Sequence, residues 1–371
     1  MSSIQKIFQD FGPSYLERFG DAVPFQHRKV IAAIQRCRSG DDGYCVYVCE
    51  DCDETHVQPR SCGNRHCPQC QHAKTQQWLE KQLHRQLPGH HFMVTFTVPE
   101  ALREVIRAHQ KEGYGALFSS SADAIKTLAV DPEQLGGEAG FFGVLHTWGR
   151  MLQYHPHIHY IVPGGVLDEK GEWQASSPGF LLPVHALSTI FRAKFRDAMR
   201  KAGLYDAIPA EVWTTDWNVN CQAVGSAEST LKYLAPYVFK VAISDARIVQ
   251  VEAEQVTFTY KKSGSSRQRT MTLHVHEFMR RFLQHVLPAG FMKVRYYGFL
   301  NPSHKMPMDE LKARIELASG FEVLAPQVDE AVHVPPPCRA CGGALRYRYS
   351  ILPRRAEVQA TTGPPLGATM T

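Results

Sequence analysis

The sequence predicts an α+β protein: a small cysteine-rich module, then a larger domain built on a sheet with antiparallel pairs. Three observations carry this. Strand-like and helix-like stretches interleave, yet several strands adjoin without room for a crossover helix, which argues against a doubly wound parallel sheet. Seven of the ten cysteines fall between Cys37 and Cys70. The apolar residues, 44% of the chain of 371, are enough for a substantial core and more than one domain.

The first part spans residues 1–88. A helix is expected over Phe25 to Arg36, and Cys37 follows it. Cys49-x2-Cys52 and Cys67-x2-Cys70 are two knuckles whose four thiolates can close a tetrahedral zinc site. His27, Cys37, Cys62 and His66 form a second possible set, so one or two structural zinc ions are expected. The alternative for these four is that Cys37 and Cys62 are core residues and His66 contacts phosphate. Cys45 lies outside the pattern, and spacing leaves His56 open as a substitute ligand. Paired knuckles without an export signal indicate thiolate–metal binding in a reducing compartment, not disulfides. Arg60, Arg65 and Lys74 crowd the knuckles and suit a phosphate backbone. A helix from about Lys74 to Gln86 leads to the next part.

The second part spans residues 89–315. His91 to Pro99 reads as a strand, followed by helices over Glu100 to Glu112 and Tyr114 to Leu128. Phe141 to Trp148 and His155 to Val162 are strands. Leu187 to Ala202 is a basic helix carrying Arg192 and Arg196. Val212 to Ala223 is a strand and Ser229 to Val241 a helix. Ala246 to Val251 and Val256 to Tyr260 make a hairpin beside a basic loop with Lys261, Lys262, Arg267 and Arg269. A helix over Glu277 to Val286 and a strand over Phe291 to Phe299 complete it. Residues 316–371 form an extension with Cys338-x2-Cys341, half a metal site that could complete a zinc ribbon elsewhere or pair across a dimer. The last residues, rich in Gly, Ala, Pro and Thr, are expected to be disordered.

Two stretches carry chemistry. In His155-Pro-His-Ile-His159 the strand period of two points His157 and His159 the same way, with His155 open as a neighbour. Grouped neutral imidazoles outline a divalent-metal site. In Tyr233-Leu-Ala-Pro-Tyr237 the i, i+4 spacing puts both phenols on one helical face. Lys240, one turn on, could favour a phenolate or hold a phosphate. A metal beside two tyrosines suggests attack on a phosphodiester. The net charge of +5 favours an anionic partner. No run of 18 apolar residues occurs, so no membrane span is expected.

The chain resembles the transposases of the insertion sequence 91 family, within the HUH endonucleases of rolling-circle replication. The resemblance rests on His91-Phe-Met-Val-Thr-Phe-Thr-Val-Pro99, Leu145-His-Thr-Trp-Gly149, His155 to Gly165, and Tyr233-Leu-Ala-Pro-Tyr-Val-Phe-Lys240. Ser61 to Cys70 resembles the family's zinc-binding domain, and Arg295 to Leu300 its closing core strand. Together these cover about residues 10–315. The family usually carries Arg where Gly63 stands.

The resemblance implies a central antiparallel sheet of about five strands. It implies Mg2+ or Mn2+ on His157 and His159, with a third ligand open among His155, Gln222, His146 and an acidic residue. It further implies a 5′-phosphotyrosine formed by Tyr233 or Tyr237 on single-stranded transposon ends, with or without a hairpin. The expected setting is a bacterial cytoplasm, on the nucleoid when active, with monomer and dimer both open. The competing reading is a zinc-ribbon DNA-binding protein without catalysis.

Overall fold

The computed structural model describes residues 3–71, 78–79, 82–83, 85–226, 242–262, 265–320 and 337–353. Packing divides the chain into two units, one of residues 1–35 and 63–332, the other of residues 36–62 and 333–371. This division differs from the three consecutive parts expected along the chain. The first two helices belong with the large sheet, and the carboxy-terminal extension belongs with the first knuckle.

The smaller unit is a three-stranded antiparallel sheet of β1 (Tyr44–Cys49), β2 (Thr55–Pro59) and β13 (Leu345–Ile351), in the order β13-β1-β2. Its hydrophobic cluster consists of Cys49, Cys338 and Leu345, with Tyr47 packed against them.

The larger unit opens with α1 (Ser3–Phe19) and α2 (Phe25–Arg36). Its centre is a five-stranded antiparallel sheet of β3 (His90–Thr97), β4 (Phe141–Trp148), β5 (Tyr154–Pro163), β8 (Asn218–Ser226) and β12 (Val294–Tyr297). The strand order is β12-β4-β5-β3-β8. Around it lie α3 (Arg103–Ala108), α4 (Gln110–Ala129), α5 (Val184–Lys201), α6 (Val275–Leu283) and α7 (Met308–Ser319). A short hairpin, β6 (Gly165–Leu167) with β7 (Trp173–Ala175), follows β5. A separate sheet of β9 (Ile248–Glu252), β10 (Gln255–Lys261) and β11 (Gln268–His274) precedes α6.

Alternation along the strands gives the large sheet two unlike faces. Phe92, Val94 and Phe96 of β3 join Ile158, Tyr160 and Val162 of β5 in the main core with α4 and α5. Burying each such side chain stabilises the fold by about 1.5–3 kcal/mol. The Tyr160 ring fits because Gly143 stands opposite it; a Cβ there would lie 2.3 Å from the ring. The other face is apolar at one end, where Phe142, Val144 and Ile161 cluster with Met93. Toward the other end it turns polar, with Thr95, His146, His157 and His159. Among the described residues no helix is long and apolar enough to cross a membrane.

Candidate functional site

Strand register builds a three-histidine cluster. His157 pairs across the ladder with His146, and His159 pairs with Val144 on one side and Thr95 on the other. The ring centroids are 5.3 Å apart for His146 and His157, 4.8 Å for His146 and His159, and 4.9 Å for His157 and His159. One nitrogen from each ring lies within 4.8 Å of the others, a grouping suited to a metal ion. The Nδ1 of His157 lies 2.7 Å from the carbonyl oxygen of His155, which can only accept. Nδ1 is therefore the N–H, and Nε2 carries the lone pair. His159 Nδ1 lies 2.8 Å from Thr95 Oγ1, which can anchor that ring in the same tautomer. Burial, then the neighbouring His159, pushes His157 down to about 3, and burial pushes His159 down to about 4. Both rings are thus neutral ligands at ordinary pH.

His155 takes a different partner. The β4–β5 register shifts between His146 and Trp148, so that His155 and Pro156 together oppose Thr147. This is a β-bulge, which interrupts the regular alternation and accommodates a proline in a central strand. The guanidinium of Arg103 donates to His155 Nδ1 at 2.9 Å. Of the third ligands left open by the sequence, His146 is the one grouped with His157 and His159; His155 lies outside that group. Burial, then Arg103, holds the His155 imidazole below its ordinary range.

The far side of His146 is covered by Trp148, stacked at 5.1 Å and 23°. Lys293 Nζ lies 4.7 Å over the Trp148 ring, and burial pushes its ammonium down to about 7. Thr95, Arg103 and Lys293 were not singled out from the sequence. Thr95 could have been found by aligning the expected strand 91–99 with the histidine strand, but that alignment requires the register. Gln222 pairs with Met93 on the edge strand and is exposed. Tyr233, Tyr237 and Lys240 lie outside the described residues, as does Lys74.

The cysteines gather differently from the expected sets. Cys49 and Cys52 are grouped with Cys338 and Cys341, not with Cys67 and Cys70. In that group the sulfurs lie within 4.8 Å of one another. Adjacent knuckles in sequence therefore do not share a site. All-thiolate sets of four are the donor type of structural zinc. His66 and His27 do not join that set. His66 is buried, its Nε2 accepts from the Leu287 N–H at 3.4 Å, and burial pushes it down to about 3. Burial pushes His27 down to about 4. Cys45 Sγ faces Ser350 Oγ at 3.6 Å.

The basic residues divide too. Arg65 was expected at the surface but is half-buried, donating to the carbonyls of Phe291 and Pro288, each at 2.5 Å. Its guanidinium caps backbone carbonyls where a phosphate contact was anticipated. Arg60 donates to the Asp42 carbonyl at 3.4 Å. Arg192 donates to the Thr215 carbonyl at 2.5 Å and lies 3.8 Å from Asp216. Arg196 lies 3.8 Å from Asp197. Lys261, Lys262, Arg267 and Arg269 are exposed.

Comparison with known proteins places the chain among transposases. Residues 140–307 match a family model described as a putative transposase, and residues 7–98 match one described as a transposase zinc-binding domain. A putative transposase, y4qJ, of Sinorhizobium fredii is 37% identical over 342 residues, covering 85% of each chain. The transposase for insertion sequence element IS801 of Pseudomonas savastanoi pv. phaseolicola is 26% identical over 352 residues, covering 87% of this chain and 83% of the relative. No solved structure matches the chain.

Proposed function

The chain belongs to the insertion sequence 91 family of transposases, and on that basis we propose that it nicks and rejoins single-stranded DNA at transposon ends. The observation that carries the reading is the cluster of His146, His157 and His159 on one face of the central sheet. These three imidazoles would hold a divalent cation, which when bound neutralises charge on a phosphodiester oxygen. An all-nitrogen set suits Mn2+ better than Mg2+, which prefers oxygen ligands.

Tyr233 or Tyr237 supplies the nucleophile in this proposal. The phenol oxygen bonds to phosphorus, the P–O3′ bond breaks, and the phenol's proton ends on the released 3′-OH. The product is a 5′-phosphotyrosine. A second 3′-OH then attacks that phosphorus and returns the tyrosine, so the number of phosphoester bonds is conserved and no ATP is needed. Thr95 would hold the His159 ring in orientation, and the Trp148 ring would shield the back of His146. Exposed Lys261, Lys262, Arg267 and Arg269 are proposed to contact the DNA backbone.

The test is cleavage of labelled single-stranded oligonucleotides carrying the element ends. Nicking is expected with Mn2+ and not in EDTA, with protein attached to the 5′ side of the cut. Mass spectrometry of the adduct should find it on Tyr233 or Tyr237. Metal-dependent cleavage that leaves a free 5′-phosphate would overturn the tyrosine chemistry, and metal-independent cleavage would overturn the role of the histidines.

A further inference from the structure

We propose that Cys49, Cys52, Cys338 and Cys341 bind one zinc ion, so that residues 338–351 form an integral part of a zinc ribbon begun near residue 44. Neither matched family segment reaches these carboxy-terminal residues; they end at 98 and 307.

The sulfur geometry is that of a metal site. Cys49 Sγ lies 3.4 Å from Cys341 Sγ, and Cys52 Sγ lies 3.7 Å from Cys338 Sγ. A tetrahedron of Zn–S bonds of ~2.3 Å has edges of ~3.8 Å. A disulfide would need ~2.05 Å. The knuckles are also built alike. In the first, the Cys49 N–H donates to the Glu54 carbonyl at 2.9 Å, and in the second the Cys338 N–H donates to the Gly343 carbonyl at 2.8 Å. Each has a backbone N–H aimed at sulfur: Asp51 to Cys49 Sγ and Gly343 to Cys341 Sγ, both at 3.4 Å. Such donors favour thiolate over thiol. His56 Nε2 lies 3.2 Å from Cys338 Sγ and can donate to it when that nitrogen carries the proton. Glycine at position 343 leaves room for the Asp51 carboxylate; a Cβ there would lie 2.0 Å from it and would push that side chain aside.

The surrounding sheet needs such a staple. β13 pairs with β1 from Tyr44 opposite Ile351 to Cys49 opposite Leu345, with one register shift between Val46 and Tyr47. Yet the hydrophobic cluster beneath consists of Cys49, Cys338 and Leu345 with Tyr47, and two of those three buried groups are the proposed ligands. Among the described residues that cluster is small, and a structural zinc supplies folding energy outright.

The experiment uses the full chain. Native mass spectrometry and metal analysis are expected to give one zinc ion fewer in the double variant Cys338→Ser, Cys341→Ser than in the unaltered chain. Because a destabilised variant could lose metal indiscriminately, alkylation of the unaltered protein provides an independent reading. Cys52 and Cys341 are exposed, so as free thiols they would react readily with iodoacetamide. Protection of both, released together with Cys49 and Cys338 when a chelator is added, is the expected result. His56→Ala should weaken zinc retention ~10–100-fold in chelator competition while leaving the stoichiometry unchanged. Rapid alkylation of Cys341 in the zinc-loaded chain would overturn the proposal, as would an unchanged zinc count in the double variant. None of these readouts depends on DNA cleavage.

Discussion

The histidine cluster and the Cys49–Cys341 cluster are both sets of metal-ligating side chains presented by antiparallel sheets, but cause and effect run in opposite directions. In the large sheet the fold makes the site. Phe96, Ile158 and Tyr160 pack against α4 and α5 on one face and fix the register that brings His146 to His157 on the other. In the small sheet the site must make the fold, since the buried cluster there contains the ligands themselves. The lesson is that metal removal should have opposite consequences in the two regions. It should cost function in one and structure in the other.

The largest expected effect tests that contrast directly. Structural zinc in small modules contributes ~10–16 kcal/mol of apparent binding energy. Chelation should therefore abolish hydrogen-exchange protection in 44–49, 55–59 and 345–351 while leaving 92–96 and 158–162 protected. Equal loss of protection in both sheets would erase the distinction.

Next comes His146→Ala. Removing a ligand should lower metal-dependent nicking by more than the ~10–100-fold typical of outer-shell losses, with little change in melting temperature. His155→Ala should fall well short of this, because Arg103 already occupies its Nδ1. If His155→Ala proves the more damaging, the third ligand has been misassigned. Thr95→Val should fall in the ~10–100-fold range, since it leaves His159 in place but removes the group that orients it.

These pairs show what could be read in advance. Period-two alternation identifies the face shared by His157 and His159, and β-branched and aromatic runs identify β3, β4 and β5 as strands. Alternation cannot choose the third ligand. His146 reaches the cluster through pairing between strands, and His155 leaves the regular pattern at a bulge; both facts belong to register, not to local sequence. The cysteines teach the same lesson over a longer distance. Cys49 and Cys341 are 292 positions apart and meet only because β13 pairs with β1. Spacing favoured the nearer knuckle because spacing carries no information about such a ladder. Arg65 was misjudged for a related reason: whether an arginine faces solvent or backbone carbonyls depends on packing partners more than 200 positions away.

Acid should expose the strain of keeping the histidine face neutral. In the metal-free protein, His157 at about 3 and His159 at about 4 both lie below the ordinary ~6.5 of an unfolded histidine. As pH falls below ~6.5 the unfolded chain takes up these protons first. The stability associated with neutral rings is therefore complete above ~6.5 and is lost as pH drops through about 4 and then about 3. Melting temperature should decline across that window, and less steeply in His157→Gln than in the unaltered chain. Identical slopes would show that His157 does not titrate as its burial requires.

The smallest effect should come from His159's immediate neighbour. Tyr160 points to the opposite face, where its hydroxyl meets Ser121 Oγ at 2.7 Å. Ser121 also donates to the Leu117 carbonyl at 2.5 Å, so its own hydrogen retains a partner when the tyrosine hydroxyl is removed. Tyr160→Phe thus deletes the hydroxyl's contacts with Ser121, with the Phe118 carbonyl at 3.3 Å and with Tyr297, and should cost about 1–2 kcal/mol. The ring remains against Gly143, so register and the spacing of His146, His157 and His159 should be preserved. Nicking should stay within about twofold of the unaltered protein, as expected for a change of under ~0.4 kcal/mol in the barrier. A large loss of nicking with unchanged stability would mean that the helix-packed face tunes the metal face through the strand, and that the two faces are not the independent surfaces their alternation implies.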